Sequence, residues 1–285
     1  MKKLLKIGTT FLNLLMSNQP RVYWWSMIYE KKSNVENFGD YLTPYLVEKL
    51  TGKKPILFSP KSKFARFFKH SLMVGSIISR SNNKTLVWGS GIIKKDDQIK
   101  GGNFLLVRGP KTRKRLEELG LKFTTRYGDP AIILPKLYSP KIEKKYEIGI
   151  IPHFFHYEEL ISNYKNDGSV FFINLLTNDI EEVIKQILSC KKIISTSLHG
   201  VIVSHTYKIP AIWWKYAHLN GDDIKFYDYF ESVNLNVTNN YQQYSLEEVI
   251  KIADYYLPED EIVMQVRKDI LETFPYKIKK LNFEL

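Results

Sequence analysis

Three observations predict an α/β protein built as two Rossmann-like domains facing a cleft. Short apolar strands alternate with helices along most of the chain, the mark of βαβ units around parallel sheets. A lysine- and proline-bearing stretch, PKLYSPKIEKKYE (135–147), separates two blocks of that pattern like a linker. The 285 residues, 44% hydrophobic and 25% charged, have an ordinary globular composition and a two-domain length. The expected organisation is an amphipathic N-terminal helix over 1–20, a first domain over 21–140 and a second over 141–285. Cys190 is the lone cysteine, which excludes an internal disulfide and any Cys-based zinc site. No apolar run reaches the roughly 20 residues that a membrane-spanning helix needs.

In the first block, Leu4, Leu5, Ile7, Phe11, Leu12, Leu14, Leu15 and Met16 share one helical arc, with Lys2, Lys3, Lys6, Thr9, Asn13 and Ser17 opposite. Such a helix packs on the domain or lies on an anionic membrane surface. Lys6 interrupts the apolar run and no A-x-A-like cleavage site follows, so a signal peptide is not expected. The expected location is cytoplasmic, at the inner face of the cell membrane if the helix binds lipid. VYWWSMIY (22–29) reads as a buried strand. A loop then leads to a helix over Tyr41–Leu50, whose apolar residues fall at helical spacing. Strands are expected at 55–58, 72–78, 85–88 and 103–107, and a helix at 113–120 closed by Gly120.

The second block alternates more regularly. Strands are expected at 147–152, 169–174, 191–196 and 210–214. Helices are expected at 157–163, 179–190 with Asp179 as N-cap, 199–207, 245–256 and 259–273. Ligands of such sheets bind beyond the carboxyl ends of the strands.

The net charge of +12 is unevenly placed. Residues 49–126 hold 19 Lys and Arg against 4 Asp and Glu, whereas the other 207 residues hold 23 against 26. A basic stretch of this kind faces nucleic acid, an anionic membrane or an anionic substrate, or simply solubilises the surface. It matches no common nucleic-acid-reading motif, although SPKSKFARFFKH (59–70) interleaves cations with aromatics, and no nucleic-acid partner is expected.

No dinucleotide fingerprint, phosphate loop or zinc-protease motif is present. Gly89, Ser90 and Gly91 in WGSGI follow a strand, where backbone N–H groups cradle a phosphate or sugar hydroxyl, or simply form a tight turn. Ser197-Leu198-His199-Gly200 joins a strand to a helix, setting Ser197 and His199 at a helix N-terminus suited to an anion. His205 in that helix reads as structural. His153 and His156 follow a strand, but no carboxylate cluster accompanies them, and no metal is expected. Asp40, in Asn37-Phe38-Gly39-Asp40, is either a helix cap or a catalytic carboxylate. Arg108 ends a strand and offers bidentate recognition of phosphate or carboxylate. Asp129, in a Gly-Asp-Pro turn, reads as structural.

In order, NFGDYLTPYL, VWGSGII, VRGPKTRKRLEELG, YGDPAIILP and STSLHGVIVSHTYKIPAIWW resemble the polysaccharide pyruvyl transferase family over about residues 21–235. The resemblance implies a two-domain, glycosyltransferase-B-like fold. It implies transfer of a pyruvyl group from phosphoenolpyruvate to sugar hydroxyls, forming a pyruvate ketal on a cell-surface glycan. By the same resemblance Arg108 binds donor, and His199 binds phosphate or acts as acid. Asn37 and Asp40 match the N-terminal motif. Lys225, in DDIKFYDYF, matches a downstream donor-binding basic residue, with Lys215 as its competitor. Ser197 stands where many members have Arg, and Gly109 where Asp is common. No redox cofactor is called for, and the expected partner is a glycan or lipid-linked oligosaccharide acceptor. Two other readings stand beside this one: a nucleotide-sugar glycosyltransferase on the same scaffold, and a non-catalytic protein binding anionic glycan or nucleic acid.

Overall fold

The computed structural model describes residue 12 and residues 14–164 and 170–280. Most of the expected N-terminal helix, residues 1–11 and 13, lies outside the described residues; Leu12 and residues 14–16 are helical. Among the described residues, nine strands form two parallel sheets with helices between them, which bears out the α/β expectation.

The first sheet comprises β1 (Arg21–Tyr23), β2 (Ile56–Leu57), β3 (His70–Leu72), β4 (Thr85–Trp88) and β5 (Asn103–Leu106), in the order β2-β1-β3-β4-β5. The second comprises β6 (Tyr146–Ile151), β7 (Val170–Phe172), β8 (Cys190–Ser195) and β9 (Ala211–Trp213), in the order β7-β6-β8-β9. Both orders reverse direction next to their first strand, between β1 and β3 and between β6 and β8. Such switch points are where doubly wound sheets open a crevice for ligand.

Helix α1 (Phe38–Thr51) follows β1 and buries Leu42, Leu46 and Leu50. Pro44 sits inside it and has no N–H to give the carbonyl of Asp40, which leaves the first turn open next to the site. After β5 come α2 (Pro110–Glu118), a 3-10 turn over Pro130–Ile133, and α3 (Leu134–Leu137). The second half adds α4 (Tyr157–Tyr164), α5 (Ile180–Leu188), α6 (Leu198–Thr206), α7 (Ile224–Ser232), α8 (Leu246–Ile252) and α9 (Asp260–Glu272). Asp179 caps α5 by accepting from the Glu182 N–H, as its sequence predicts.

One apolar cluster runs through both halves, from Val22, Leu42 and Trp88 to Ile151, Val201, Phe226 and Ile270. The chain's end seals it. Trp88 Nε1 donates to the Ile270 carbonyl at 2.9 Å, Arg267 donates to the carbonyls of Ile132 and Thr206, and Tyr276 donates to the Arg21 carbonyl.

Three elements differ from expectation. The strand expected over 72–78 lies at His70–Leu72, because the Val74 N–H turns to Thr43 Oγ1 and Gly75 takes a positive φ. The strand expected over 22–29 ends at Tyr23, because the buried Glu36 carboxylate takes the Ser26 hydroxyl at 2.5 Å and the Met27 N–H at 2.8 Å, turning the chain away. Helix α7, over Ile224–Ser232, is not expected from the sequence. It buries Ile224, Phe226, Tyr229 and Phe230, and also Asp228, which is paired with Arg108 and Thr112.

Candidate active site

The carboxyl ends of β1, β3, β6 and β8 point to one cavity of about 430 Å³. Its wall includes Asn37, Asp40, Ser76, His153, His199 and Lys225. The expected residues therefore divide into two groups: Asn37, Asp40, Ser197, His199 and Lys225 line the cavity, while Gly89, Ser90, Gly91, Arg108 and Lys215 do not.

Asp40 lies in the first turn of α1. The Asn37 amide donates to its Oδ2 at 2.6 Å. Burial raises its carboxyl to about 6, opposed by the Asn37 bond and by the positive field of His199 and Lys225. Such a carboxylate is ionised at neutral pH yet close enough to its pKa to exchange a proton, as a general base must. Lys225, on the first turn of α7, moves the other way. Burial lowers its ammonium to about 8, and Arg108 adds to the effect against Asp223 and Asp40. Lys225 has no hydrogen-bond or salt-bridge partner among the described residues, whereas Lys215 is held by Asp223 at 2.7 Å. Of the two competing lysines, only Lys225 faces the cavity.

His199 stands in the first turn of α6. Ser197, the N-cap, makes no side-chain capping bond, so the N-terminus of α6 opens on the cavity with its dipole unopposed by a cap. The imidazole packs on Gly39 with Nδ1 nearest, and any Cβ there would collide with the ring, so glycine is needed for close approach. Its Nε2 faces Asp129 Oδ2 at 3.7 Å, and both atoms are buried without a hydrogen-bond partner among the described residues. Asp129 Oδ1 accepts from the Ala131 N–H at 3.0 Å, which fixes the carboxylate. The sequence reading placed Asp129 in a turn. It does cap that turn, and its second oxygen faces His199 Nε2.

Arg108 is fully buried behind the cavity wall. Its Nε donates to Asp228 Oδ2 at 3.0 Å, Nη1 to Ser76 Oγ at 2.7 Å and Nη2 to the Ile92 carbonyl at 2.7 Å. Asp228 also accepts from the Thr112 N–H at 2.9 Å and hydroxyl at 2.6 Å. The guanidinium thus reaches the cavity only through Ser76 and through its field on Lys225. The WGSGI glycines serve this knot: a Cβ at Gly91 would strike the guanidinium, and Ser90 Oγ donates to the Gly75 carbonyl at 2.9 Å. Gly109 lies so close to the Asp228 backbone that a Cβ would collide, which accounts for glycine where Asp is common.

The cavity mouth is aromatic, a feature that sequence reading did not reveal. Trp25 and Phe154 stack with centroids 6.3 Å apart, and Phe154 meets Phe155 at 4.2 Å and His153 at 4.4 Å. Phe155 is 68% exposed. Burial, helped by Lys225, His156 and His199, pushes His153 down to about 3, so it is neutral. His156 is instead held by Thr196 at 3.0 Å. His205 bonds Tyr229 at 3.0 Å inside the core, the structural role its sequence suggests.

The model of the family described as polysaccharide pyruvyl transferase matches residues 37–218. An uncharacterized protein of Acanthamoeba polyphaga mimivirus is 34% identical over 217 residues, covering 73% of this chain and 74% of that protein. No solved structure matches the chain. The matched span begins at Asn37 and contains Asp40, Asp129 and His199, whereas Trp25, Lys32, Leu219, Asn220 and Lys225 of the cavity wall lie outside it. The chain belongs to the polysaccharide pyruvyl transferase family.

Proposed function

We propose that this transferase moves a pyruvyl group from phosphoenolpyruvate to two hydroxyls of a sugar in a surface glycan or its lipid-linked precursor, forming a ketal. One observation carries the reading. A carboxylate raised to about 6, an ammonium lowered to about 8 and an imidazole at an open helix N-terminus meet in one cavity. Phosphoenolpyruvate carries phosphate and carboxylate within a few bonds, and a site for it needs convergent cationic groups beside a proton acceptor. In this reading residues 21–140 form the acceptor-side unit and 141–285 the donor-side unit of a glycosyltransferase-B-like arrangement.

Lys225 and the first-turn N–H groups of α6 hold the donor phosphate. His199, facing Asp129, delivers a proton to the methylene carbon, and C2 gains oxocarbenium character. Asp40 takes the proton of the first sugar hydroxyl as its oxygen bonds to C2. The C2–O bond to phosphate then breaks, with the leaving charge on Lys225 and the helix terminus. The second hydroxyl closes the ketal on C2 and gives its proton to His199, which restores the acid, while Asp40 passes its proton to the departing phosphate. Trp25, Phe154 and Phe155 offer ring faces for the apolar face of the acceptor pyranose. The donor drives the sequence, and no redox step occurs.

The test is phosphate release with phosphoenolpyruvate and a panel of glycans, with the product examined for an acid-labile ketal. Phosphate released in step with ketal formation supports the reading. Thermal stabilisation by a nucleotide sugar, with none by phosphoenolpyruvate, would refute it.

A further inference from the structure

We propose that the described end of the N-terminal helix and the neighbouring segment 58–84 form a face that docks on an anionic phospholipid bilayer. The proposal does not depend on the pyruvyl-transfer reading. Leu12, Leu15 and Met16 recur at i, i+3 and i+4, one helical face, and are 56%, 57% and 84% exposed. Leu14 points the other way and joins Phe58, Ala65 and Phe68 in a small apolar cluster. The Arg21 guanidinium donates to the Leu14 carbonyl and lies 4.8 Å over the Phe68 ring. The helix end is therefore seated on the protein by one side, with its other apolar side in water. Phe67, on the segment that receives Leu14, is 56% exposed. Apolar surface left in water beside a seated helix marks an interaction face.

Cations frame it. The Arg66 guanidinium lies 4.6 Å over the Phe67 ring and Lys63 Nζ lies 5.1 Å over the Phe64 ring. Behind them, a cavity of about 610 Å³ is lined by Lys63, Arg66, Lys84, Asn82 and Asn83, among others, with no carboxylate in its wall. The sequence enforces the sign of the charge: residues 49–95 contain 11 Lys and Arg and no Asp or Glu. Leu and Met side chains gain little from a nucleic-acid backbone. At a bilayer surface they enter the acyl boundary, while Lys and Arg meet headgroup phosphates and aromatic rings occupy the interface. The contact is peripheral, since no helix of the described residues is long and apolar enough to cross a membrane.

Flotation of the full chain with vesicles tests this. Vesicles of phosphatidylcholine with about one-third phosphatidylglycerol should capture the protein, and phosphatidylcholine alone should bind it about tenfold more weakly, with capture falling as salt rises. Leu15→Glu with Met16→Glu, and separately Lys63→Glu with Arg66→Glu and Lys84→Glu, should each weaken capture about tenfold. Circular dichroism and melting should not change, because these side chains lie at the surface. Met16→Ser alone, at the most exposed position, keeps the test alive if a double variant melts early. Failure to bind anionic vesicles, or capture of both multiple variants as strong as that of the unmodified chain, overturns the proposal. Capture of duplex DNA in place of vesicles, lost only in the charge variant, overturns it in favour of nucleic acid.

Discussion

Two buried charged clusters bridge the halves of this protein, and they are built on opposite rules. In the Arg108–Asp228 knot, the guanidinium gives hydrogen bonds to three partners and the carboxylate takes Arg108 and both donors of Thr112. A few residues away, Lys225 has no hydrogen-bond or salt-bridge partner among the described residues and meets the Phe226 ring at 5.4 Å. His199 Nε2 and Asp129 Oδ2 face one another unbonded. The knot's donors and acceptors are paired within the protein itself. The second cluster leaves polar groups unsatisfied beside an open cavity. A buried charge therefore signals function when its bonding is incomplete, and scaffold when it is saturated.

The largest expected effect is on chemistry in the open cluster. His199→Ala should lower kcat/KM by about 10²–10⁴-fold, and Asp40→Asn should do the same. Asp40→Asn should also leave the melting temperature unchanged or raised, since it removes a desolvated carboxylate and keeps an acceptor for Asn37. A strongly destabilised Asp40→Asn would mean that Asp40 belongs with the saturated knot.

Arg108→Ala should act in the opposite manner. It strands Asp228 in the core and should cost about 3–5 kcal/mol of stability, read as a lower urea midpoint. An Arg108→Ala protein that keeps its midpoint and loses only donor binding would erase the distinction between the clusters.

The smallest effect is the pH profile of kcat/KM. Asp40 must be ionised to accept a proton, so activity should rise as pH climbs through about 6. Lys225 must be protonated to hold phosphate, so activity should fall as pH climbs through about 8. Lys225→Gln should raise the KM for phosphoenolpyruvate roughly tenfold and remove the alkaline fall alone. An alkaline limb that survives in Lys225→Gln would assign it to another group.

Much of this was legible in the sequence where local chemistry decides the outcome. The strand at 85–88 and the capped helix after Asp179 follow from their own residues. So does His199 at a strand-to-helix junction. What escaped was decided by distant partners. Arg108 looks like a ligand-binding arginine at a strand end, and only Asp228, 120 residues away, turns it into scaffold. Asp129 looks like a turn residue until α6 brings His199 beside it. The aromatic mouth joins Trp25 to Phe154 across two sheets, and neither residue lies in a motif.

The unbroken apolar core has a consequence for how such a chain can change. Phe38, Leu46 and Leu134 share one cluster with Ile184, Val203 and Phe230, so a cut or crossover in the 135–147 stretch would strand apolar surface on both pieces. The halves cannot be exchanged like cassettes. A lineage that acquired a new acceptor on one side would have to keep the other side's packing in step, so new specificity would more readily arise at the exposed aromatic mouth than by replacing a whole half.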